Sequence, residues 1–265
     1  MNIHTRTLTV FSLALILALA VTLLTPVPPA YALTFSVNSL NDLNDGACNA
    51  AHCSLREAII ATISAPSNDS IIFSVSGTIF LSSTLPGISP NNVLIIDGSN
   101  TITIDGGSRV RVISNSGNLT LRNLTITNGA VFDDFGGGVL NKGRLLIENS
   151  TFSNNTASTL NATAGGGAIY NGGSLTINDG YFNFNKAINT GRGIAEGGAI
   201  YSNGEYTEVK IDENTILKRN QAAHHGGAIY NALGHLTMKN SKLEDKSSAK
   251  GGGGGIYDRN GARMN

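Results

Sequence analysis

The sequence predicts an all-β protein, a right-handed parallel β-helix solenoid with a short N-terminal capping helix. The main observation is a repeated motif, a glycine pair followed by a small residue, an aliphatic residue and usually tyrosine. Successive copies begin 27 to 31 residues apart, at Gly136, Gly166, Gly197, Gly226 and Gly253. A period of this length is typical of solenoids, in which each repeat forms one coil stacked on the last. Right-handedness is expected because crossovers between parallel strands almost always have that hand.

Two further extended segments follow the glycine motif in each repeat. The first alternates apolar and polar residues, as in Leu145–Glu148, and the second carries an aromatic or aliphatic residue before asparagine, as in Thr151–Asn155. Alternation with a period of two indicates a half-buried strand, and no part of the repeat has a helical period. Three strands per coil without a helix imply that each strand pairs with its counterpart in the next coil.

The glycine motifs are expected at sharp bends, where positive φ angles are needed, with their aliphatic residues stacked inside the solenoid. Ile256 is expected to extend this internal column. The repeat-motif residues expected at these bends and in the internal column are Gly166, Gly167, Ile169, Gly197, Gly198, Ile200, Gly226, Gly227 and Ile229.

Residues 1–32 have the form of a secretory signal peptide. Arg6 precedes an apolar stretch, Leu8–Leu24, and a proline-rich break leads to the small-x-small sequence Ala30–Ala32. Cleavage is expected after Ala32. The alternative is an uncleaved membrane anchor, since the 17 apolar residues reach the lower limit for a spanning helix.

Residues 33–69 are assigned to an N-terminal cap, and residues 70–265 to the solenoid. The only two cysteines, Cys48 and Cys53, lie in the cap. In an exported protein this spacing favours a disulfide, while two free, partly buried thiols are the alternative. Two cysteines at this spacing do not form a metal site by themselves.

A capping helix is predicted at residues 54–64. Ser54 and Glu57 have the spacing of a capping box, and the residues that begin the helix are Ser54, Leu55, Arg56, Glu57 and Ala58. Leu55, Ala58, Ile59 and Thr62 share one face, which we expect to cover the first coil.

Two resemblances to known families follow from these motifs. The stretch Cys53–Ala58 (CSLREA) resembles the signature of the bacterial CSLREA domain, an N-terminal module of exported β-helix proteins. The later repeats resemble those of chlamydial polymorphic outer membrane proteins, which pair GGAI with FxxN. These motifs stand at Gly166–Ile169, Gly197–Ile200 and Gly226–Ile229, and at Phe152–Asn155 and Phe182–Asn185, with a degraded copy at Leu217–Asn220. The resemblances imply an exported, surface-associated protein with an adhesive role.

Residues 251–265 begin a fifth coil of the regular repeat and stop before its second strand. We expect either a fragment or frameshifted product of a longer protein or a last coil that frays. An open sheet edge at this end would favour self-association.

Composition narrows the function further. Only 14% of residues are charged and the formal net charge is zero, so no nucleic-acid partner is expected. No cofactor is expected either. The predicted role is adhesion, binding or surface display without catalysis, at the cell surface or outside the cell. The expected partner is a polysaccharide or a component of a host or neighbouring cell surface.

The alternative function is that of a carbohydrate-active β-helix enzyme, a polysaccharide hydrolase or lyase. Aligned repeats place Asp179 and Glu213 one coil apart, about 4.8 Å by strand spacing. Two carboxylates that close could divide the roles of acid and nucleophile. The competing interpretation is a solvated turn, because no aromatic platform or arginine converges on the pair. The adjacent Asp133 and Asp134 match the paired aspartates of β-helix hydrolases only weakly.

Metal sites are not predicted. His224 and His225 are adjacent, so their side chains would point to opposite sides of a strand, and a solvated loop is the expected role. The acidic segment Asn41–Gly46 misses the spacing of a calcium loop and is interpreted as a structural turn.

Overall fold

The computed structural model describes residues 31–64, 68–245, 247–248 and 251–259. Its elements belong to the unit that starts at Ala32, and the predicted signal segment lies outside the described residues except for Tyr31 and Ala32. The described part is a parallel β-solenoid with one short helix, so the predicted fold class is confirmed.

The helix, α1, spans Leu55–Ser64. The first, less regular coils contain strands β1 (Thr34–Val37), β2 (Asn68–Phe73), β3 (Gly77–Phe80), β4 (Val93–Asp105), β5 (Ile113–Asn115), β6 (Asn118–Thr127) and β7 (Ala130–Phe132). The next two coils contain β8 (Val139–Asn141), β9 (Arg144–Glu148), β10 (Thr151–Ser153), β11 (Thr156–Thr159), β12 (Thr163–Gly165), β13 (Ile169–Asn171), β14 (Ser174–Asn178), β15 (Tyr181–Asn183), β16 (Lys186–Asn189) and β17 (Ile194–Glu196). The remaining strands are β18 (Ile200–Ser202), β19 (Glu208–Asp212), β20 (Ile216–Lys218), β21 (Gln221–Ala222), β22 (Ile229–Asn231), β23 (His235–Met238), β24 (Lys242–Glu244), β25 (Ser247–Ser248) and β26 (Ile256–Asp258).

Like strands of successive coils pair in parallel and in register. In one column β9 pairs with β14 and β14 with β19, so that Leu145 lies opposite Leu175 and Leu175 opposite Val209. All three of these side chains are buried. The alternation in each repeat therefore builds an inner face of aliphatic residues and an outer face of polar residues. In a second column Ile169, Ile200, Ile229 and Ile256 are register partners.

The coils beginning at β8 and β13 contain five short strands, two more than the three expected from the sequence. The additional strands are β11 and β12 in one coil and β16 and β17 in the next, and they pair in parallel. The inward residues here include Ala157 and Ala187, both buried. Because alanine is small and only weakly apolar, these strands lack the strong alternation that sequence reasoning requires.

The interior contains ladders of equal side chains as well as apolar columns. The rings of Phe152 and Phe182 are stacked with centroids 4.9 Å apart. Next to them, Asn155, Asn185 and Asn220 are fully buried, and the Nδ2 atoms of Asn155 and Asn185 each donate to Oδ1 of the following asparagine at 3.0 Å. In each coil the FxxN motif therefore contributes one buried aromatic ring and one buried amide side chain. The amides form hydrogen bonds with the buried polar groups at this bend.

The glycine motif forms a bend in which side chains do not fit. Gly166 has φ +63°, and a Cβ added to it would lie 2.1 Å from the carbonyl oxygen of Ile169. At Gly167 a Cβ would lie 2.5 Å from the oxygen of Gly198 in the next coil. The first glycine is thus required by backbone conformation, and the second by close stacking.

Helix α1 lies within the first coil, between β1 and β2. Glu57 N donates to Ser54 Oγ at 3.2 Å and Ser54 N to Glu57 Oε2 at 2.8 Å, the reciprocal bonds of a capping box. Leu55 and Ile59 are fully buried in the main core. Strand β1, from the segment predicted as a cap, pairs with β2 and so belongs to the solenoid sheet.

A disulfide joins Cys48 and Cys53 immediately before the helix. Arg56, in the first turn of α1, donates to Asp42 Oδ1 at 2.9 Å and to Oδ2 at 2.8 Å. Burial opposes ionisation of Asp42, but hydrogen bonds from Arg56 and Ser82 outweigh it and lower its pKa. The cap is thus fixed by a covalent bond and by a bidentate ion pair.

Replacing Asn185 with alanine should destabilise the solenoid strongly. The substitution removes the acceptor for Asn155 N and Nδ2 and the donor to the carbonyl of Phe152. Each buried polar group left unpaired lowers the free energy of unfolding by about 1–3 kcal/mol. We therefore expect unfolding at a clearly lower guanidinium concentration. The matched control is Asn161→Ala, at an exposed loop position, which should melt like the wild type. Equal midpoints for the two variants would contradict the structural role of the ladder.

Replacing Glu57 with glutamine should remove an acid-sensitive part of the stability. Burial alone would raise the pKa of Glu57, but hydrogen bonds from the amides of Ser54 and Asp45 lower it to about 2. Because the folded pKa lies below the unfolded value, the stabilisation is complete above about pH 5. It is then lost as the pH falls towards 2. The variant should be about 1–2 kcal/mol less stable at pH 7, as expected for a lost charged cap.

Urea denaturation of both proteins between pH 2 and pH 7 measures this effect. The difference between them should shrink steadily below pH 5. A constant difference across the range would show that the charge on Glu57 does not stabilise the cap.

Candidate functional site

Each coil turns between its second and third strand segments at residues with left-handed backbone conformation. The residues of this corner are mostly asparagine and aspartate, which tolerate positive φ better than other non-glycine residues. They are Ser99 (φ 49°), Asn100 (61°), Asn123 (53°), Asn149 (42°), Asp179 (55°), Glu213 (52°), Asn214 (61°) and Asn240 (47°).

Amide side chains connect the corner residues along the solenoid. Asn149 Nδ2 donates to Asn123 Oδ1 at 2.8 Å and to Asn100 Oδ1 at 3.0 Å. Asn123 Nδ2 in turn donates to Asp97 Oδ1 at 3.0 Å. These bonds join three successive coils and orient the side chains of Asn123 and Asn149.

A groove of about 340 Å³ follows this edge, and we call it the corner groove. Its wall contains Asn100, Asn149, Asp179 and Asn214. Its floor is made by the outward residues that begin the next strand segment, Thr125, Thr151, Tyr181 and Ile216, which are register partners. The groove crosses five coils, and four steps of about 4.8 Å give a length of about 19 Å.

The chemistry of the corner groove is polar and nearly uncharged. Its lining offers amides, threonine hydroxyls and the ring of Tyr181, which is 36% exposed, and it includes neither lysine nor arginine. Asp179 supplies a single exposed carboxylate, and no residue of the described part forms a hydrogen bond or ion pair with that side chain. Such a surface can exchange hydrogen bonds with hydroxyl groups and offers one aromatic face for stacking.

The structure brings only one member of the speculative catalytic pair, Asp179, into the corner groove. Glu213 follows Asp212, the register partner of Asn178, but Glu213 does not line the groove. The corner after β19 is longer by one residue than the corner after β14, so Asn214 occupies the position beside Asp179. The alignment of repeats from sequence alone did not include this extra residue.

The paired aspartates have structural roles. Asp133 Oδ1 accepts hydrogen bonds from Thr159 Oγ1 at 2.6 Å and from Leu160 N at 2.9 Å, and the first of these is the main cause of its lowered pKa. Asp134 forms an ion pair with Arg111. Both carboxylates therefore make contacts that stabilise the folded chain.

The two adjacent histidines have separate partners. His224 Nδ1 accepts a hydrogen bond from the amide of Ala195, whereas His225 Nδ1 lies 2.9 Å from Glu196 Oε1. They do not form a common ligand set within the described residues. In the segment Asn41–Gly46 the side chains of Asn41 and Asn44 accept hydrogen bonds from amides two residues further on, as in structural turns.

A column of aromatic rings also runs along the solenoid, formed by Phe135, Tyr170, Tyr201, Tyr230 and Tyr257. Neighbouring tyrosines are stacked, with centroids 5.1 Å apart for Tyr201 and Tyr230. Burial, reinforced by the nearby Glu196, raises the pKa of Tyr201. Because Tyr201 and Tyr230 are buried, this column stabilises the stack and offers little surface to a ligand.

Comparison with known families gives one match. The Chlamydia polymorphic membrane protein (Chlamydia_PMP) repeat matches residues 149–172, which begin at the corner residue Asn149 and include one FxxN and one GGAI motif. No curated protein and no solved structure matches the chain. In the described residues, no helix is long and apolar enough to cross a membrane.

Sequence reasoning did not identify Tyr181, Thr125 or Asn100 as members of a common site. Their common signal is position, since each stands at or just after the turn that ends a strand segment. The floor position holds threonine in two coils and then tyrosine and isoleucine, so no single residue type marks the groove in every coil.

Proposed function

We propose that the protein is an exported surface protein that binds an extended, uncharged polysaccharide along the corner groove without cleaving it. The observation that carries this proposal is the groove itself. It is long and polar, and it has one exposed ring at its floor. A linear glycan presents repeated hydroxyl groups and apolar ring faces, which suit amide, hydroxyl and tyrosine side chains in a row.

Charge favours a neutral ligand. Anionic polymers are normally bound by arginine or lysine, and neither occurs in the groove lining. Asp179 would instead repel an anionic chain. A neutral glycan would experience no such repulsion, and its hydroxyl groups could donate to the carboxylate.

Three observations support export and surface location. A signal peptide, as predicted here, and a CSLREA-like segment are both features of exported proteins. The disulfide is typical of proteins in an oxidising compartment. The repeat matched at residues 149–172 takes its name from a membrane protein of Chlamydia. Adhesion through a surface glycan is consistent with all three.

Catalysis is the weaker candidate. Glycoside hydrolysis needs two carboxylates facing one bond, and the groove lining contributes only Asp179. Non-destructive binding requires no second carboxylate and fits the amide-rich wall better.

Replacing Tyr181 with alanine should weaken glycan binding about tenfold, equivalent to about 1.4 kcal/mol, because the sugar loses its stacking face. Isothermal titration against neutral polysaccharides that the wild type retains on a glycan array gives the affinity. Tyr206→Ala is the matched control, since Tyr206 is 92% exposed and lies outside the groove lining. Equal affinities for the two variants, or an array with no retained neutral glycan, would rule out the groove as the binding site.

Replacing Asp179 with asparagine separates binding from turnover. Both the wild type and the variant should release reducing sugar only at the background rate, and their affinities should agree within a few-fold. Release of sugar by the wild type that disappears in Asp179→Asn would instead establish an enzyme.

A further inference from the structure

A second cluster of polar side chains lies at the N-terminal cap, away from the residues that line the corner groove. His52 Nδ1 is 3.1 Å from Asp45 Oδ2 and 3.0 Å from Glu57 Oε2, and the three atoms lie within 4.8 Å of one another. The residues come from three segments, namely the loop before the disulfide, the residue next to Cys53 and the first turn of α1. We call them the cap cluster.

Hydrogen bonding defines which histidine nitrogen carries the proton in the neutral ring. Nε2 lies 3.0 Å from Asn41 Oδ1, and this oxygen also accepts the amide of Leu43, which identifies it as an acceptor. The proton therefore belongs on Nε2. Nδ1 is then left with a lone pair, and this atom is buried without a hydrogen-bond partner in the described structure.

The lone pair of Nδ1 faces two carboxylates, so the cap cluster brings three electron-pair donors together. The carboxylate of Glu57 accepts hydrogen bonds from the amide of Asp45 at 2.6 Å and from the amide of Ser54 at 2.8 Å. The Glu57 side chain is 1% exposed, and that of His52 is 21% exposed. An uncompensated arrangement of this kind is unfavourable away from water, and a bound cation removes the conflict.

We propose that the cap cluster is a divalent transition-metal site of the zinc class, with His52 Nδ1, Asp45 Oδ2 and Glu57 Oε2 as its protein ligands. Zinc–nitrogen and zinc–oxygen bonds of about 2.0–2.2 Å in a tetrahedron place neighbouring ligand atoms about 3.4 Å apart, close to the distances found here. Mixed imidazole and carboxylate donors suit zinc better than calcium, which takes six or more oxygen ligands.

The surroundings are those that metal ligands commonly have. Asn41 orients the imidazole through Nε2, and two backbone amides orient the carboxylate of Glu57. Asp45 has a 56% exposed side chain, which leaves an open side for a water molecule as fourth ligand. The bound metal would attach the disulfide loop to the start of α1 and thereby stabilise the cap.

The test uses the full chain with its disulfide intact, stripped of metal by a chelator and titrated with zinc chloride. We expect one zinc ion per chain by calorimetry and by metal analysis after dialysis, and a higher melting temperature in the presence of zinc. His52→Gln should lose at least a hundredfold in affinity. His235→Ala is the matched control, at an exposed histidine outside the cluster, and should bind zinc like the wild type.

Asp45→Asn provides a second variant in case His52→Gln fails to fold. Because the side chain of Asp45 is exposed, this variant should fold, and we expect at least a tenfold loss of affinity. Nitrogen-15 spectra of the His52 ring distinguish a metal from a proton on Nδ1. Unchanged zinc binding by both variants would overturn the proposal, because the zinc would then bind elsewhere. A His52 ring protonated on both nitrogens in the presence of zinc would also overturn it, and would identify an imidazolium that bridges the two carboxylates.

Discussion

The register of the coil stack is the constraint on which the rest of the structure depends. Each inward side chain has the same kind of neighbour in the coils before and after it, as the pairs Leu145–Leu175 and Phe152–Phe182 illustrate. A slip of one residue would turn every inward side chain to the solvent, because the side-chain period of a strand is two. The buried amides strengthen this requirement, since Asn155 and Asn185 are satisfied only when their counterparts align. Apolar burial drives the stacking, and the amide ladders specify its register.

The same register determines where function can be located. Inward positions and glycine bends are restricted by packing, but outward positions at the corner need only tolerate a left-handed backbone. Because asparagine and aspartate meet that requirement, the corner acquires amides and a carboxylate for structural reasons. Packing does not restrict the residue type at the outward position after each corner. This position is threonine at Thr125 and Thr151 and tyrosine at Tyr181. The backbone requirements of the corner therefore already supply most of the polar wall of the groove.

Much of the fold could be predicted from the sequence, because its strongest signals are periodic. The glycine motif and the alternation at Leu145–Glu148 predicted the parallel solenoid and its inward faces. Strands β11 and β16 could not be predicted in this way, since alanine in their interior carries a weak apolar signal. The site was harder. The sequence named Asp179 and Glu213 together, but only Asp179 lines the corner groove, because a one-residue difference in corner length changes which side chain faces it.

The cap shows why the structure of an irregular segment is hard to predict from sequence, although many polar side chains contact one another there. Helix α1 has only ten residues, too few for independent stability in water, so its position depends on tertiary contacts and tethers. Leu55 and Ile59 supply the apolar contact with the core, while the disulfide and the Arg56–Asp42 pair hold the preceding loop. That loop has no periodic pattern, and its side chains are brought together by the cross-links alone. The approach of His52 to Glu57 is a consequence of these tethers, and it places a buried ring nitrogen 3.0 Å from a buried carboxylate oxygen.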